Sequence, residues 1–140
     1  MLAEHNSNRE IPSVALSASL EDYLEAIFEI DKTKKNVRVK DVARKLGVTM
    51  PSVNGALKNL EAKGLITHEK YEYIELTRLG VQQASRVASR HKMIFFFLRD
   101  ILNVDEKTAQ MDACKIEHVL SRNTVNKMTA YIELSLKHQE

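Results

Sequence analysis

Between Val39 and Gly64 the chain carries two short amphipathic stretches separated by one tight break, and nothing else in the sequence constrains the fold as strongly. In Val39-Lys40-Asp41-Val42-Ala43-Arg44-Lys45-Leu46 the apolar residues Val39, Val42, Ala43 and Leu46 recur at helical spacing and face one way. Gly47 follows, and glycine reaches the left-handed conformation that ends helices at little cost. Thr49 offers the hydroxyl of an N-cap, and Pro51 falls in the first turn of the next helix, where its missing N–H removes no hydrogen bond. Val53, Ala56, Leu57 and Leu60 form the second stripe, which stops at Gly64. Two short helices about a tight turn make a helix-turn-helix.

Leu65-Ile66-Thr67-His68-Glu69-Lys70 and Tyr71-Glu72-Tyr73-Ile74-Glu75-Leu76 come next, rich in β-branched and aromatic residues that alternate with polar ones. They predict two short strands around a polar tip near Lys70. A helix-turn-helix followed by a hairpin is a winged helix, and that order points to DNA. The exposed residues at the start of the second helix, Thr49, Pro51, Ser52, Asn54 and Gly55, then face the major groove, where hydroxyl and amide groups can bond base edges and Pro51 can touch a thymine methyl. Lys40, Arg44, Lys45, Lys58 and Lys70 are placed for phosphate contacts, which set affinity and salt dependence rather than sequence.

Charge agrees with this placement. The net charge is only +2, yet Lys32 to Lys70 holds ten Lys or Arg against three Asp or Glu, a local +7, and the remaining residues carry −5. A basic segment on a nearly neutral chain suggests a nucleic-acid face. One cysteine excludes an internal disulfide, and with no leader and no long apolar run the expected location is cytoplasmic, away from any membrane.

Around this core the sequence predicts a flexible arm over residues 1–18, which includes Pro12, and then a helix N-capped by Ser19 with Asp22 in capping-box spacing. Leu20, Tyr23, Leu24, Ile27 and Phe28 are its buried stripe, and Asp22 and Glu25 lie off that stripe. Thr77 caps a long helix to about Leu102, in which His91 precedes the apolar run Met93 to Leu98, a core or dimer face. Asp105 begins another helix, and Ser121 opens the last, with Val125, Met128, Ile132, Leu134 and Leu136 as its apolar positions.

The helix after Asp105 carries Cys114-Lys115-Ile116-Glu117-His118. Positions i, i+3 and i+4 share one arc, so Cys114, Glu117 and His118 point the same way. Thiolate, carboxylate and imidazole are ligands for a borderline-soft divalent metal, and three groups fall one short of a tetrahedral shell. Either Asp22 or Glu25 can supply the missing oxygen.

These strings together resemble the diphtheria-toxin-repressor-like metalloregulators in their short two-domain form, over nearly all of residues 19 to 138. The resemblance rests on Ser19-Leu20-Glu21-Asp22-Tyr23-Leu24-Glu25, Pro51-Ser52-Val53, Arg90-His91 and Cys114-Lys115-Ile116-Glu117-His118-Val119-Leu120-Ser121 in this order. It implies a mainly α fold, with a winged helix-turn-helix DNA-binding domain at 19–78, a small β-hairpin wing, and an α-helical metal-binding and dimerisation domain at 79–140. It implies a homodimer that binds operator DNA when loaded with Fe2+ or Mn2+, with Zn2+, Co2+ or Ni2+ as in vitro substitutes, and that represses metal-uptake genes. Asp22, Cys114, Glu117 and His118 fall in one metal site, and the manganese-responsive branch adds a second ion at Glu25 and His91. Cys114 is the iron branch's choice at its position, whereas Asp22 is not, since that branch uses methionine there.

Two other classes compete. A metal-independent winged-helix regulator would sense oxidants through Cys114, its thiol activated by Lys115 and His118. A metalloenzyme would use an open metal position to activate water, but no general base or substrate cleft is evident, and no enzyme is expected.

Overall fold

A computed structural model of the 140-residue chain describes residues 14–69 and 73–138. The element order is α1 (Ala18–Thr33), α2 (Val39–Leu46), α3 (Met50–Ala62), β1 (Ile66–His68), β2 (Ile74–Leu76), α4 (Arg78–Phe96), a π-helical segment (Phe97–Ile101), α5 (Glu106–Ile116) and α6 (Arg122–His138). The fold is mainly α with one small hairpin, as expected, and it divides into two compact units, Met1–Ala84 and Ser85–Glu140.

In the first unit α1, α2 and α3 pack on one another, with the hairpin against α3 and α1. The core is made by the predicted stripes: Leu24 and Ile27 from α1, Val42 from α2, Val53, Leu57 and Leu60 from α3, then Leu65, Ile66 and Ile74. Gly47 ends α2 at φ 65°, and Thr49 caps α3 by accepting the N–H of Ser52 at 3.3 Å.

The start of α1 differs from expectation. Ser17, not Ser19, is the N-cap: its backbone is extended and its hydroxyl accepts the N–H of Leu20 at 3.2 Å, so Ser19 lies inside the first turn. The last residues of the expected arm are also held. Val14 and Leu16 pack against the core, and Gln83 Nε2 donates to the Val14 carbonyl at 3.1 Å. Residues 1–13 lie outside the described residues.

The wing is shorter than the sequence suggests, three residues per strand, with antiparallel pairs Ile66 to Leu76, Thr67 to Glu75 and His68 to Ile74. Residues 70–72, and with them Lys70, lie outside the described residues. Val37 adds an isolated bridge to the hairpin, its carbonyl accepting the Ile74 N–H at 2.8 Å. Thr77 ties the hairpin to α4: its hydroxyl donates to the Gly64 carbonyl at 2.6 Å and accepts the Gly80 N–H at 3.0 Å. Gly80 itself lies against the hairpin so closely that a Cβ there would run into the carbonyl oxygen of Leu65.

In the second unit the apolar run after His91 does not continue as regular α-helix to Leu102. The backbone widens into the π-helical turn 97–101, and Asn103 reverses it at φ 61°. Asp105 then caps α5, accepting the Thr108 N–H at 3.0 Å, and Ser121 caps α6, accepting the Thr124 N–H at 3.2 Å. Val87, Ile94, Ala109, Ala113 and Ile132 are buried, whereas Leu134 and Leu136 on α6 remain exposed. No helix among the described residues is long and apolar enough to cross a membrane.

Candidate metal centre and nucleic-acid interface

Helix α5 ends at Ile116, one residue before the carboxylate that matters. Glu117 still has helical backbone and donates its N–H to the Ala113 carbonyl at 3.1 Å, but the N–H groups of Val119 and Leu120 both turn back to Ile116. His118 therefore sits in the closing turn at the end of α5. Glu117 is buried, with 1% of its side chain exposed, while Cys114 one turn earlier is exposed.

Both oxygens of Glu117 face imidazoles. Oε2 lies 2.7 Å from His91 Nδ1, and Oε1 lies 3.3 Å from His118 Nε2. His91 is 16% exposed and His118 only 6%. A buried carboxylate is costly unless paired, and two nitrogen partners on opposite oxygens meet that demand. Each contact brings an imidazole nitrogen and a carboxylate oxygen to one place. Two imidazoles and a carboxylate, nearly closed to water, are a donor set suited to a first-row divalent ion. The resemblance implies a role for His91, with Glu25, at a second ion. The contact of His91 with Glu117 spans 26 residues and two helices, so no spacing rule reveals it.

Asp22 is exposed and Glu25 half-buried on α1, both in the first unit. On α3, Pro51, Asn54 and Gly55 are exposed, with no atom near the space a Cβ at Gly55 would take. The hydroxyls of Thr49 and Ser52 are 2.8 Å apart and share a hydrogen bond. Lys40, Arg44, Lys45 and Lys58 are exposed, and Lys45 Nζ pairs with Glu29 at 3.0 Å, so part of its charge is committed within the fold.

A concavity of about 990 Å³ opens between α3, the start of α2 and the wing, lined by Arg38, Lys40, Asn54, Lys58, His68 and Tyr73 among others. Sequence reasoning missed Arg38 and Tyr73. Arg38 Nη2 donates to Tyr73 Oη at 3.2 Å, and the guanidinium stands 5.1 Å from the ring centroid. An arginine at a helix start and a tyrosine just past the wing tip were the signals available.

Residues 15–74 match the N-terminal DNA-binding domain of the iron-dependent repressors, and residues 77–136 match their metal-binding and dimerisation domain. The chain is 34% identical over 119 residues to an uncharacterised helix-turn-helix-type transcriptional regulator of Methanocaldococcus jannaschii, covering 84% of this chain and 95% of that one. It is 33% identical over 116 residues to the helix-turn-helix-type transcriptional regulator MntR of Lysinibacillus sphaericus, covering 83% of each. Among solved structures it is similar to the manganese regulator SloR, with a TM-score of 0.72 and 27% identity, covering 86% of this chain and 55% of that one. The chain thus spans about half the length of SloR. The chain belongs to the iron-dependent repressor family, metal-dependent transcriptional repressors that join a helix-turn-helix DNA-binding domain to a helical metal-binding and dimerisation domain.

Proposed function

We propose that this chain is a homodimeric repressor of metal-uptake genes, with a DNA-binding half at 19–78 and a helical half at 79–140. A divalent metal, Fe2+ or Mn2+, raises its affinity for operator DNA. The observation that carries the reading is the buried carboxylate of Glu117 held between His91 and His118. Asp22, Cys114, Glu117 and His118 are the proposed ligands, and a second ion would use Glu25 and His91. One Glu117 oxygen faces each imidazole, so Glu117 would act as a ligand together with a neighbouring histidine. The Cys114 thiolate favours Fe2+ by softness and the Asp22 carboxylate favours harder Mn2+.

A bound divalent ion supplies positive charge that draws these ligands together. Asp22 belongs to the first unit and the others to the second, so a metal taking ligands from both would limit their relative motion. In a dimer this fixes the separation of the two α3 helices, which a two-fold operator requires to be about one DNA turn, roughly 34 Å. The exposed Leu134 and Leu136 of α6 support a partner subunit. A switch from 1:99 to 99:1 needs the metal to prefer the DNA-competent arrangement by about 10⁴-fold, roughly 5.5 kcal/mol. On DNA, Thr49, Pro51, Ser52, Asn54 and Gly55 meet base edges, and Lys40, Arg44, Lys45, Lys58 and Lys70 meet phosphates.

Asp22→Ala and His118→Ala test the site. Both variants fold and dimerise but lose metal-dependent binding to the DNA upstream of the protein's own gene. Metal-responsive binding by both would refute the ligand assignment.

A further inference from the structure

We propose that the concavity between α3, the start of α2 and the wing seats the sugar-phosphate backbone of double-helical DNA, with Arg38 as a phosphate contact and Tyr73 as the residue that positions it. The inference rests on the DNA-binding reading and extends it to the wing side of the interface.

Arg38 is the residue that precedes α2, and its side chain reaches across to the wing, where Tyr73 stands just ahead of β2. The phenol oxygen takes one guanidinium N–H at 3.2 Å, and the ring carries the cation 5.1 Å from its centroid. Arginine has five donors in a planar fork, so one bond to Tyr73 leaves the others for an acceptor. A side chain already held in place loses less freedom on binding than a loose lysine, and the fork suits the paired oxygens of a phosphate.

The lining has the charge that a polyanion needs. Arg38, Lys40 and Lys58 give three cations against the single carboxylate of Glu61, a balance of +2 with His68 neutral. Glu61 is turned to the wing, where its Oε2 accepts the His68 N–H at 3.2 Å. Asn54 and Met50 share this lining, so the same wall runs into the face of α3 assigned to bases. Duplex DNA carries a negative charge about every 1.7 Å of its axis, which matches an open basic trough better than it matches a pocket for a small molecule.

The test is a salt titration of binding by the protein in saturating Mn2+, followed by fluorescence anisotropy, on the upstream DNA and on a short duplex of unrelated sequence. Loss of one phosphate contact lowers the magnitude of the slope of log K against log salt by about 0.9. Arg38→Ala is expected to show that loss on both duplexes, and Arg38→Lys to restore the slope. Tyr73→Phe keeps the ring but not the hydroxyl, and is expected to weaken binding several-fold with the slope unchanged. Arg38→Gln replaces Arg38→Ala if the latter does not fold, with the same slope loss expected. An unchanged slope in the folded Arg38 variant, or a loss confined to one sequence, overturns the proposal while leaving DNA binding in place. Wild-type protein that binds neither duplex removes the DNA-binding reading and this one with it.

Discussion

His91 Nδ1 lies 2.7 Å from Glu117 Oε2, a contact that joins α4 to the end of α5 inside the second unit. The other oxygen of the same carboxylate meets His118, the next residue in the chain, at 3.3 Å. Metal ligation takes imidazole nitrogens and carboxylates in their deprotonated forms. Binding is therefore expected to release protons and to weaken on acidification.

Glu117→Gln keeps the shape and a polar head beside His91 but gives up the negative charge. The variant is expected to stay folded by circular dichroism. Outer-sphere substitutions at metal sites cost about 10- to 100-fold in affinity, and loss of a direct ligand is expected to cost no less. Calorimetric titration with Mn2+ or Co2+ checks this, and wild-type affinity would remove Glu117 from the site.

Gly80→Ala and Gly55→Ala are expected to act with opposite signs. At Gly80 a methyl group meets the Leu65 carbonyl, and overpacking of this kind costs about 1–3 kcal/mol. At Gly55 the space is open and the residue is inside a helix, where alanine is favoured by about 0.5–1 kcal/mol. Thermal unfolding of both variants measures the difference. Gly55→Ala should also perturb DNA binding, since that position lies on the exposed face of α3.

Asp41 gives the first unit one interaction that acid weakens. Burial works to raise its pKa, but the Lys34 ammonium at 2.8 Å, the Arg38 N–H at 2.9 Å and the charges of Lys34 and Lys40 outweigh it and hold the carboxyl below its ordinary value. A depressed folded pKa gives stability that is complete above the unfolded value, about 3.9, and is lost as pH falls through the lower folded value. Asp41→Asn is expected to cost about 1 kcal/mol near neutral pH, where one charged hydrogen-bond partner is lost. Its unfolding curve should converge with wild type in strong acid, and a gap that persists there would contradict the role.

How much was legible depended on whether a feature was local. The stripes through Leu24, Val42 and Leu57, the reversal at Gly47 and the caps at Thr49, Asp105 and Ser121 all follow from spacing within a few residues, and the structure has them where the sequence put them. Ser17 and Ser19 are two residues apart and chemically equal, so the choice between them belonged to tertiary packing. The π-helical turn at 97–101 leaves no mark in an apolar run that satisfies regular helix equally well. Gly80 reads as a poor helix former until the hairpin carbonyl it admits is seen. Arg38 with Tyr73 and His91 with Glu117 lie 35 and 26 residues apart, and only the fold brings such pairs together.

The most direct test of the account is binding to the DNA upstream of the protein's own gene, measured with and without chelator while Fe2+, kept anaerobic, and Mn2+ are titrated in parallel. The account predicts tight binding only with metal, with the more effective ion showing whether Cys114 or Asp22 dominates selectivity. Equal binding in the presence of chelator would contradict it, leaving a winged helix whose His91, Glu117 and His118 cluster serves the fold alone.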